Sequence, residues 1–226
     1  MVIPQRCNGA LHSGNGGYCA GVFAQLVDGP AAVNLRRPVP LDTPLDVERS
    51  DEGARILAGE TVLAEVVAGG ELTLDVPRVS PEEAREAAAG YRGTGLDEFA
   101  RCYVCGPERE DAFGVFPARV GDRDVVASPW TPPPWTAGDE GRTRPEHVWA
   151  ALDCPTYYAS YLDGPMLSFL VRLQVRIEAP VAVGEEHVVV AWPLGVDGRK
   201  RHAAAAVLDR DGAVLALAQG LLVEPR

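Results

Sequence analysis

The sequence has little positive charge, and Lys200 is its only lysine. Acidic residues outnumber basic residues by 32 to 21, which gives a formal net charge of -11. A nucleic-acid-binding protein usually presents a basic patch to the phosphate backbone. The acidic balance therefore argues against nucleic acid as a partner, although a small arginine cluster could still bind a phosphorylated small molecule.

Long apolar runs are also absent from the sequence. No stretch approaches the roughly 20 apolar residues that a transmembrane helix needs, so we expect no membrane partner. The first residues, Met1 to Cys7, lack the charged region and the apolar stretch of a secretory signal. Without such a signal, we expect the five cysteines to be reduced thiols in a cytoplasmic protein.

Several common catalytic and metal-binding motifs are missing. The sequence contains no Gly-x-Ser-x-Gly nucleophile elbow. Cys102 and Cys105 have the spacing of a zinc knuckle, but zinc usually takes four ligands and no second pair follows. His147 or Cys7 could complete such a site only through the fold. We therefore interpret the segment as a structural turn and expect no metal.

An approximate internal repeat is present instead. Asp-Gly-Pro occurs at residues 28–30 and again at 163–165, each time after a stretch of apolar and small residues. Each half closes with two apolar runs around a turn, and the second turn contains Asp211-Gly212, which favours a hairpin. Each half thus indicates one helix followed by antiparallel strands, which is an α+β arrangement.

A short helix is predicted between the halves. Ser80 can cap its N terminus, Pro81 suits its first position, Glu83 completes a capping box and Gly90 can end it. We expect this helix to be an exposed linker. The predicted division of the chain is a first half at residues 1–78, a linker at 79–100 and a second half at 101–226.

This order of elements resembles the tandem, or double, hot dog fold of acyl-CoA thioesterase II and the thioesterase-like superfamily. Residues 12–21 look like the glycine-led start of a hot dog central helix. Residues 150–155 are similar to the Leu-Asp-His opening of the second helix in that family, with Cys154 in place of His. Residues 216–221 resemble its last strand, and residues 102–107 resemble a Cys-x-x-Cys-Gly segment that opens some small hot dog proteins.

The resemblance implies a fold with two copies of a curved antiparallel sheet, each wrapped around a central helix. It also implies a thioesterase that hydrolyses an acyl-CoA or a related acyl thioester. The family residue that matches Asp153 activates water, and the one that matches Gln219 helps to hold that water, so both are predicted to be catalytic. No cofactor is implied, and pairing into a homodimer is left open. The predicted oxyanion and substrate-binding residues are Gly16, Gly17, Asn15 and His12.

The residues themselves give partial support to these roles. Asp153 lies in an apolar stretch, where a buried carboxylate is costly unless it is partnered, and at a helix start it would gain from free amides and the helix dipole. Gln219 interrupts an apolar strand. The alternatives are a turn or N-cap role for Asp153, a loop contact for Gln219 and a backbone-bonded loop position for His12. The alternative function is a non-catalytic acyl or acyl-CoA binding module.

Two further assignments stay open at this stage. The family has a third polar residue, a Ser or Thr on the strand after the helix, and Ser168 is the nearest candidate without a secure register. Two basic clusters, Arg36-Arg37 and residues 199–201, could bind the phosphates of coenzyme A. We favour the interpretation that both clusters are solvated strand edges.

Overall fold

The computed structural model describes residues 1–10, 12–111 and 113–225. One antiparallel sheet of ten strands dominates these residues. The helices are α1 (Gly16–Ala24), α2 (Pro81–Ala89) and α3 (Pro145–Ser160). The strands are β1 (Ala31–Leu35), β2 (Asp46–Ser50), β3 (Gly53–Ala58), β4 (Thr61–Ala68), β5 (Ala118–Arg119), β6 (Val126–Trp130), β7 (Phe169–Ile177), β8 (His187–Asp197), β9 (Lys200–Leu208) and β10 (Val214–Val223).

The strand order places the two parts of the chain side by side. The order is β2-β3-β4-β1-β7-β10-β9-β8-β6-β5, so β1 and β7 are the strands at which the parts meet. They pair with Ala31 opposite Val175 and Asn34 opposite Arg172. The Arg172 guanidinium also donates a hydrogen bond of 2.8 Å to the Asn34 side-chain oxygen. The hairpin predicted around Asp211-Gly212 is confirmed between β9 and β10.

One face of the sheet carries α1 and α3, which contact each other as well as the strands. The core between helices and sheet is apolar, and it includes Phe23 of α1, Leu152 of α3 and Leu173 of β7, all fully buried. Helices packed on an antiparallel sheet form an α+β arrangement, as predicted. That the two parts are copies of one unit stays a prediction.

The other face of the sheet is partly covered by α2 and the segment before it. The predicted helix is present, and its capping box is formed: Ser80 N–H donates to Glu83 at 2.7 Å and Glu83 N–H donates to Ser80 Oγ at 3.2 Å. The prediction that this helix is exposed is correct for one side of the helix and wrong for the other. Ala84 and Ala87 are buried in a second apolar cluster with Trp192, because the outer face of the sheet is itself apolar there.

The two central helices approach each other through glycines. A Cβ atom at Gly21 would lie 2.6 Å from the Glu146 Cα and 2.8 Å from the Trp149 Cβ, and one at Gly17 would lie 2.4 Å from the Asp153 Cβ. Real Cβ atoms do not tolerate such distances, because packed interiors have no spare volume. Glycine at residues 17 and 21 therefore fixes how close α3 lies to α1.

The substitution Gly21→Ala tests this contact. The added methyl group should force the helices apart and lower the free energy of unfolding by about 1–3 kcal/mol, the usual cost of overpacking. Alanine also favours helix over glycine by about 1 kcal/mol, so any net loss reports the clash. Gly70→Ala is the matched control, because nothing lies within 4 Å of its Cβ position. Equal stability of the two variants in urea would contradict the close packing.

Candidate active site

A cavity of about 740 Å³ opens beside the start of α1. Its walls come from α1, the middle of α3, the end of β1, the start of β7 and the loop that carries Cys102 and Cys105. Most of the lining is apolar or aromatic, including Leu35, Tyr157 and Leu170. Pockets of this size and character hold small organic ligands, oriented by a few polar groups.

Asp153 is the one carboxylate among the residues that line this cavity. It is 7% exposed. Its Oδ2 atom accepts hydrogen bonds from Gly17 N–H at 2.7 Å and from the Asn15 side-chain amide at 3.3 Å. Burial raises the pKa of Asp153 to about 7, against the hydrogen bonds from Gly17 and Asn15, which lower it.

The position of Asp153 in its helix differs from the prediction. We expected it near a helix start, but it lies in the middle of α3, which begins at Pro145 and continues through Pro155. Proline favours the first helical position, so Pro145 and Pro155 were both possible starts of this helix. In the structure the helix starts at Pro145. The free amide and the dipole that we expected from its own helix come instead from α1, whose first turn contains Gly17.

Asn15 connects the start of α1 to Asp153. It is the N-cap of α1, where its side-chain oxygen accepts from Tyr18 N–H at 2.8 Å. Its amide nitrogen donates to Asp153. Both ends of one side chain are thus used, which fixes the orientation of the carboxylate relative to the helix.

The remaining residues predicted from the first half also lie at the cavity. Gly16 lines it, and a Cβ atom there would lie 3.3 Å from Asp153 Oδ2. No acceptor for Gly16 N–H occurs among the described residues, whereas the next two amides of α1 are bonded to Asp153 and Asn15. His12 is exposed at the cavity and makes no side-chain hydrogen bond within the described part of the chain.

Gln219 is not brought together with Asp153. A Cβ atom at Gly220 would contact the Thr156 side chain of α3, and successive strand residues point to opposite faces of a sheet. Gln219 therefore points away from the helices, on the same face as Leu217, which belongs to the outer apolar cluster. It is not among the residues that line the cavity.

Two polar features of the cavity were not assigned from sequence. Ser168 lines it just before β7, is 2% exposed, and its hydroxyl has no hydrogen-bond partner in the described residues. The thiols of Cys102, Cys105 and Cys154 line another part of it. The sequence pointed to the serine only through the Ser or Thr that the resembled family has on the strand after its helix. It pointed to two of the thiols through the Cys-x-x-Cys spacing.

The residues suggested to complete a metal site with that pair lie elsewhere. His147 Nδ1 is 2.8 Å from the Tyr103 hydroxyl, and its Nε2 is 3.0 Å from the Arg144 guanidinium. Cys7 lies beside Tyr18. Cys154 of α3 is the residue that joins Cys102 and Cys105, with the three sulfurs within 4.8 Å of one another.

The two basic clusters have different surroundings. Arg36 and Arg37 lie at the cavity, where Arg36 pairs with Glu65 at 2.5 Å and Arg37 is exposed. Residues 199–201 are at the turn between β8 and β9 and do not line the cavity; Lys200 pairs there with Asp197 and Arg201 with Glu224. The first cluster is thus placed to contact a ligand in the cavity, and the second is a solvated strand end.

Comparison with known proteins gives a likeness in structure. No family model matches the sequence, and no curated protein matches it. A hot dog fold protein of unknown function from Alicyclobacillus acidocaldarius has a TM-score of 0.65 at 14% identity, covering 100% of this chain and 92% of that one. The tesB protein of Mycobacterium avium subsp. paratuberculosis has a TM-score of 0.61 at 14% identity, covering 100% and 91%.

A thioesterase superfamily protein is more similar in sequence, over a shorter match. It is 25% identical with a TM-score of 0.51, and the match covers 56% of this chain and 61% of that chain, which is less than two thirds of its length. These structures confirm the hot dog fold and the resemblance to thioesterase superfamily proteins. None of the helices in the described residues has the length and apolarity needed to cross a membrane.

An exchange of side chains tests the contact between Asn15 and Asp153. Asn15→Asp keeps an N-cap acceptor but places two carboxylates side by side, so we expect a loss of about 1–3 kcal/mol in the free energy of unfolding. Adding Asp153→Asn should recover most of that loss, because an amide at residue 153 can donate back. Chemical denaturation of both single variants and the double variant measures the coupling. Additive losses would show that the two side chains do not interact.

Proposed function

We propose that this chain hydrolyses an acyl thioester, with Asp153 as the general base that activates water. The observation that supports this best is a buried carboxylate at an apolar cavity, held at 2.7 Å by an amide of another helix. Burying a carboxylate is costly, and a folded protein tolerates that cost where the group is partnered or used. The thioesterase superfamily protein with the same fold supports this reaction class.

In the proposed reaction, Asp153 takes a proton from a water molecule in the cavity. The hydroxide oxygen forms a bond to the thioester carbonyl carbon, and the negative charge moves to the carbonyl oxygen. Collapse of this intermediate breaks the carbon–sulfur bond. The leaving thiolate takes up the proton held by Asp153, so the products are a carboxylic acid and a free thiol.

The carbonyl oxygen is assigned to Gly16 N–H at the start of α1. This amide has no acceptor among the described residues, lines the cavity and belongs to a helix N terminus, where negative charge is stabilised. The neighbouring Gly17 N–H holds Asp153 instead. Ser168, with its unpartnered hydroxyl, is assigned to the water or to the substrate, and His12 lies at the mouth of the cavity.

Gln219 has no part in this mechanism. It lies on the opposite face of the sheet from Asp153, so a water molecule cannot contact both. The role that the family resemblance implied for it is therefore withdrawn. What remains is a site with Asp153 from the second half and backbone amides from the first half.

The double hot dog arrangement is part of this proposal. One unit would comprise α1 with β1–β4 in residues 1–78, and the other α3 with β5–β10 in residues 101–226. One unit then supplies the helix N terminus and the other the carboxylate. A single site per chain follows, because the first half has Tyr18, an uncharged side chain, at the position that aligns with Asp153.

Coenzyme A is the proposed thiol component of the substrate. The acyl group would fill the apolar part of the cavity, and the phosphates would meet Arg37, which is exposed at the cavity and whose guanidinium donates only to the Arg36 carbonyl among the described residues. Arginine binds phosphate through a planar, bidentate fork. Arg36 is engaged with Glu65 and contributes mainly positive potential.

Asp153→Asn should lower kcat by on the order of 100-fold or more, which is the scale of a lost general base. Substrate binding should be largely intact, because the amide occupies the same volume. A panel of acyl-CoAs with detection of the released thiol gives the rates, and the affinity for a non-hydrolysable analogue gives the binding. Gln219→Leu is the control, and we expect it to retain the wild-type rate.

The outcomes separate the enzyme from the alternative, a non-catalytic acyl or acyl-CoA binding module. Wild-type protein that binds the analogue but releases no thiol from any acyl-CoA would support the module. Full activity of the Asp153→Asn variant would remove the carboxylate from the reaction. A large loss in the Gln219→Leu variant at unchanged stability would restore the role withdrawn above.

The substitution Arg37→Gln tests the coenzyme A assignment. An ion pair at an exposed site contributes up to about 1 kcal/mol, which is roughly fivefold in KM. We expect that rise for an acyl-CoA and no change for the same acyl group on N-acetylcysteamine, which lacks phosphates. Arg199→Gln should change neither, because Arg199 is not among the residues that line the cavity. Equal effects on both substrates would show that Arg37 does not bind the phosphates.

A further inference from the structure

Three thiols that the hydrolysis proposal does not use converge beside the cavity. Cys102, Cys105 and Cys154 are buried, their sulfur atoms lie within 4.8 Å of one another, and none is in a disulfide. Two come from a loop and the third from the middle of α3, so tertiary structure assembles the group. Among the described residues, these three cysteines are the His, Cys, Asp or Glu side chains whose ligand atoms lie close enough together, three at a time, to hold a metal ion.

The spacing of the sulfurs fits a tetrahedral metal centre. Zinc binds thiolate sulfur at about 2.3 Å, so two sulfurs on one tetrahedral zinc are roughly 3.8 Å apart. Cys102 Sγ and Cys154 Sγ are 3.8 Å apart. This distance joins residues 52 positions apart in the chain, and it therefore reflects how the loop is placed against α3.

The loop that carries Cys102 and Cys105 makes a tight turn. Gly106 N–H donates to the Cys102 carbonyl at 2.9 Å. A Cβ atom at Gly106 would lie 2.5 Å from the Cys102 nitrogen, so the turn requires glycine.

A side chain from α1 also faces the sulfurs. The Asn15 amide nitrogen lies 3.8 Å from Cys102 Sγ and 3.9 Å from Cys154 Sγ, within hydrogen-bond distance for sulfur. The Asn15 amide of α1 is thus a donor to two of the three sulfurs. Thiols that were buried only among apolar side chains would have no such hydrogen-bond donor.

We propose that Cys102, Cys105 and Cys154 bind a zinc ion whose fourth coordination position opens into the cavity. An all-sulfur set selects a thiophilic metal such as zinc over magnesium or calcium. All three cysteines line the cavity, and no fourth His, Cys, Asp or Glu ligand atom belongs to the group in the described part of the chain. Three protein ligands with one open position characterise zinc sites that bind water or an exchangeable ligand. That ligand would be water or a small thiol.

This inference does not depend on the proposed hydrolysis. It differs from the expectation of a metal-free structural turn, for which His147 and Cys7 were the further ligands considered. The proposed third ligand, Cys154, comes from α3.

Cobalt(II) is the probe for the test, because cobalt–thiolate bonds absorb light by sulfur-to-metal charge transfer. The full-length protein is reduced, stripped of metal and titrated with cobalt(II). We expect an end point at one equivalent, an intensity typical of three thiolates, and loss of the absorption when zinc is added. Cys7→Ser, which removes a buried thiol outside the group, should give the same titration as the wild-type protein.

Cys102→Ser and Cys154→Ser should each lose at least tenfold in cobalt affinity and show weaker charge-transfer absorption. The two ligands lie on different elements, so misfolding of one variant, detected by circular dichroism, leaves the other as the test. A wild-type protein with no charge-transfer absorption would overturn the proposal. So would unchanged absorption in a folded variant of either cysteine.

The open position has its own readout. Addition of 2-mercaptoethanol to the cobalt-loaded protein should shift the spectrum, because a fourth sulfur joins the metal. An unchanged spectrum would overturn the open position and indicate a fourth protein ligand.

Discussion

The close approach of α1 and α3 is the contact on which the rest of the site depends. Gly17 and Gly21 lie one helical turn apart on α1, and neither position has room for a methyl group. The resulting distance lets Gly17 N–H reach the Asp153 carboxylate at 2.7 Å. A larger residue at either position would move the N terminus of α1 away from the buried carboxylate. That carboxylate would then lose the hydrogen bond that offsets the free-energy cost of its burial.

The same contact places the cysteine group. Cys154 follows Asp153 in α3, and Asn15 faces both the carboxylate and two of the sulfurs. The proposed base and one proposed zinc ligand, Cys154, are therefore neighbours in α3, and the Asn15 side chain faces both. A change in the helix crossing would alter both, whereas the outer face of the sheet, covered by α2, is independent of it.

Local sequence signals identified the parts of the site that depend on local chemistry. The glycines at the start of α1, its Asn15 and the out-of-place carboxylate Asp153 were singled out because each is unusual for its position, and the structure brings them into contact; their roles in a reaction stay a prediction. Gln219 was misplaced because an apolar strand buried on both faces has no alternation to show which way a residue points. The proximity of Cys154 to Cys102 was not predicted. The two residues are 52 positions apart in the chain, and no local sequence pattern encodes such a contact.

The central claim is that Asp153 of one half and the first amides of α1 form a single site around a thioester carbonyl. A crystal structure with an acyl-CoA analogue, in which a methylene group replaces the thioester sulfur, tests it most directly. We predict that the carbonyl oxygen lies within hydrogen-bond distance of Gly16 N–H and that the carbonyl carbon faces Asp153. An analogue bound with its carbonyl away from α1 would contradict the account.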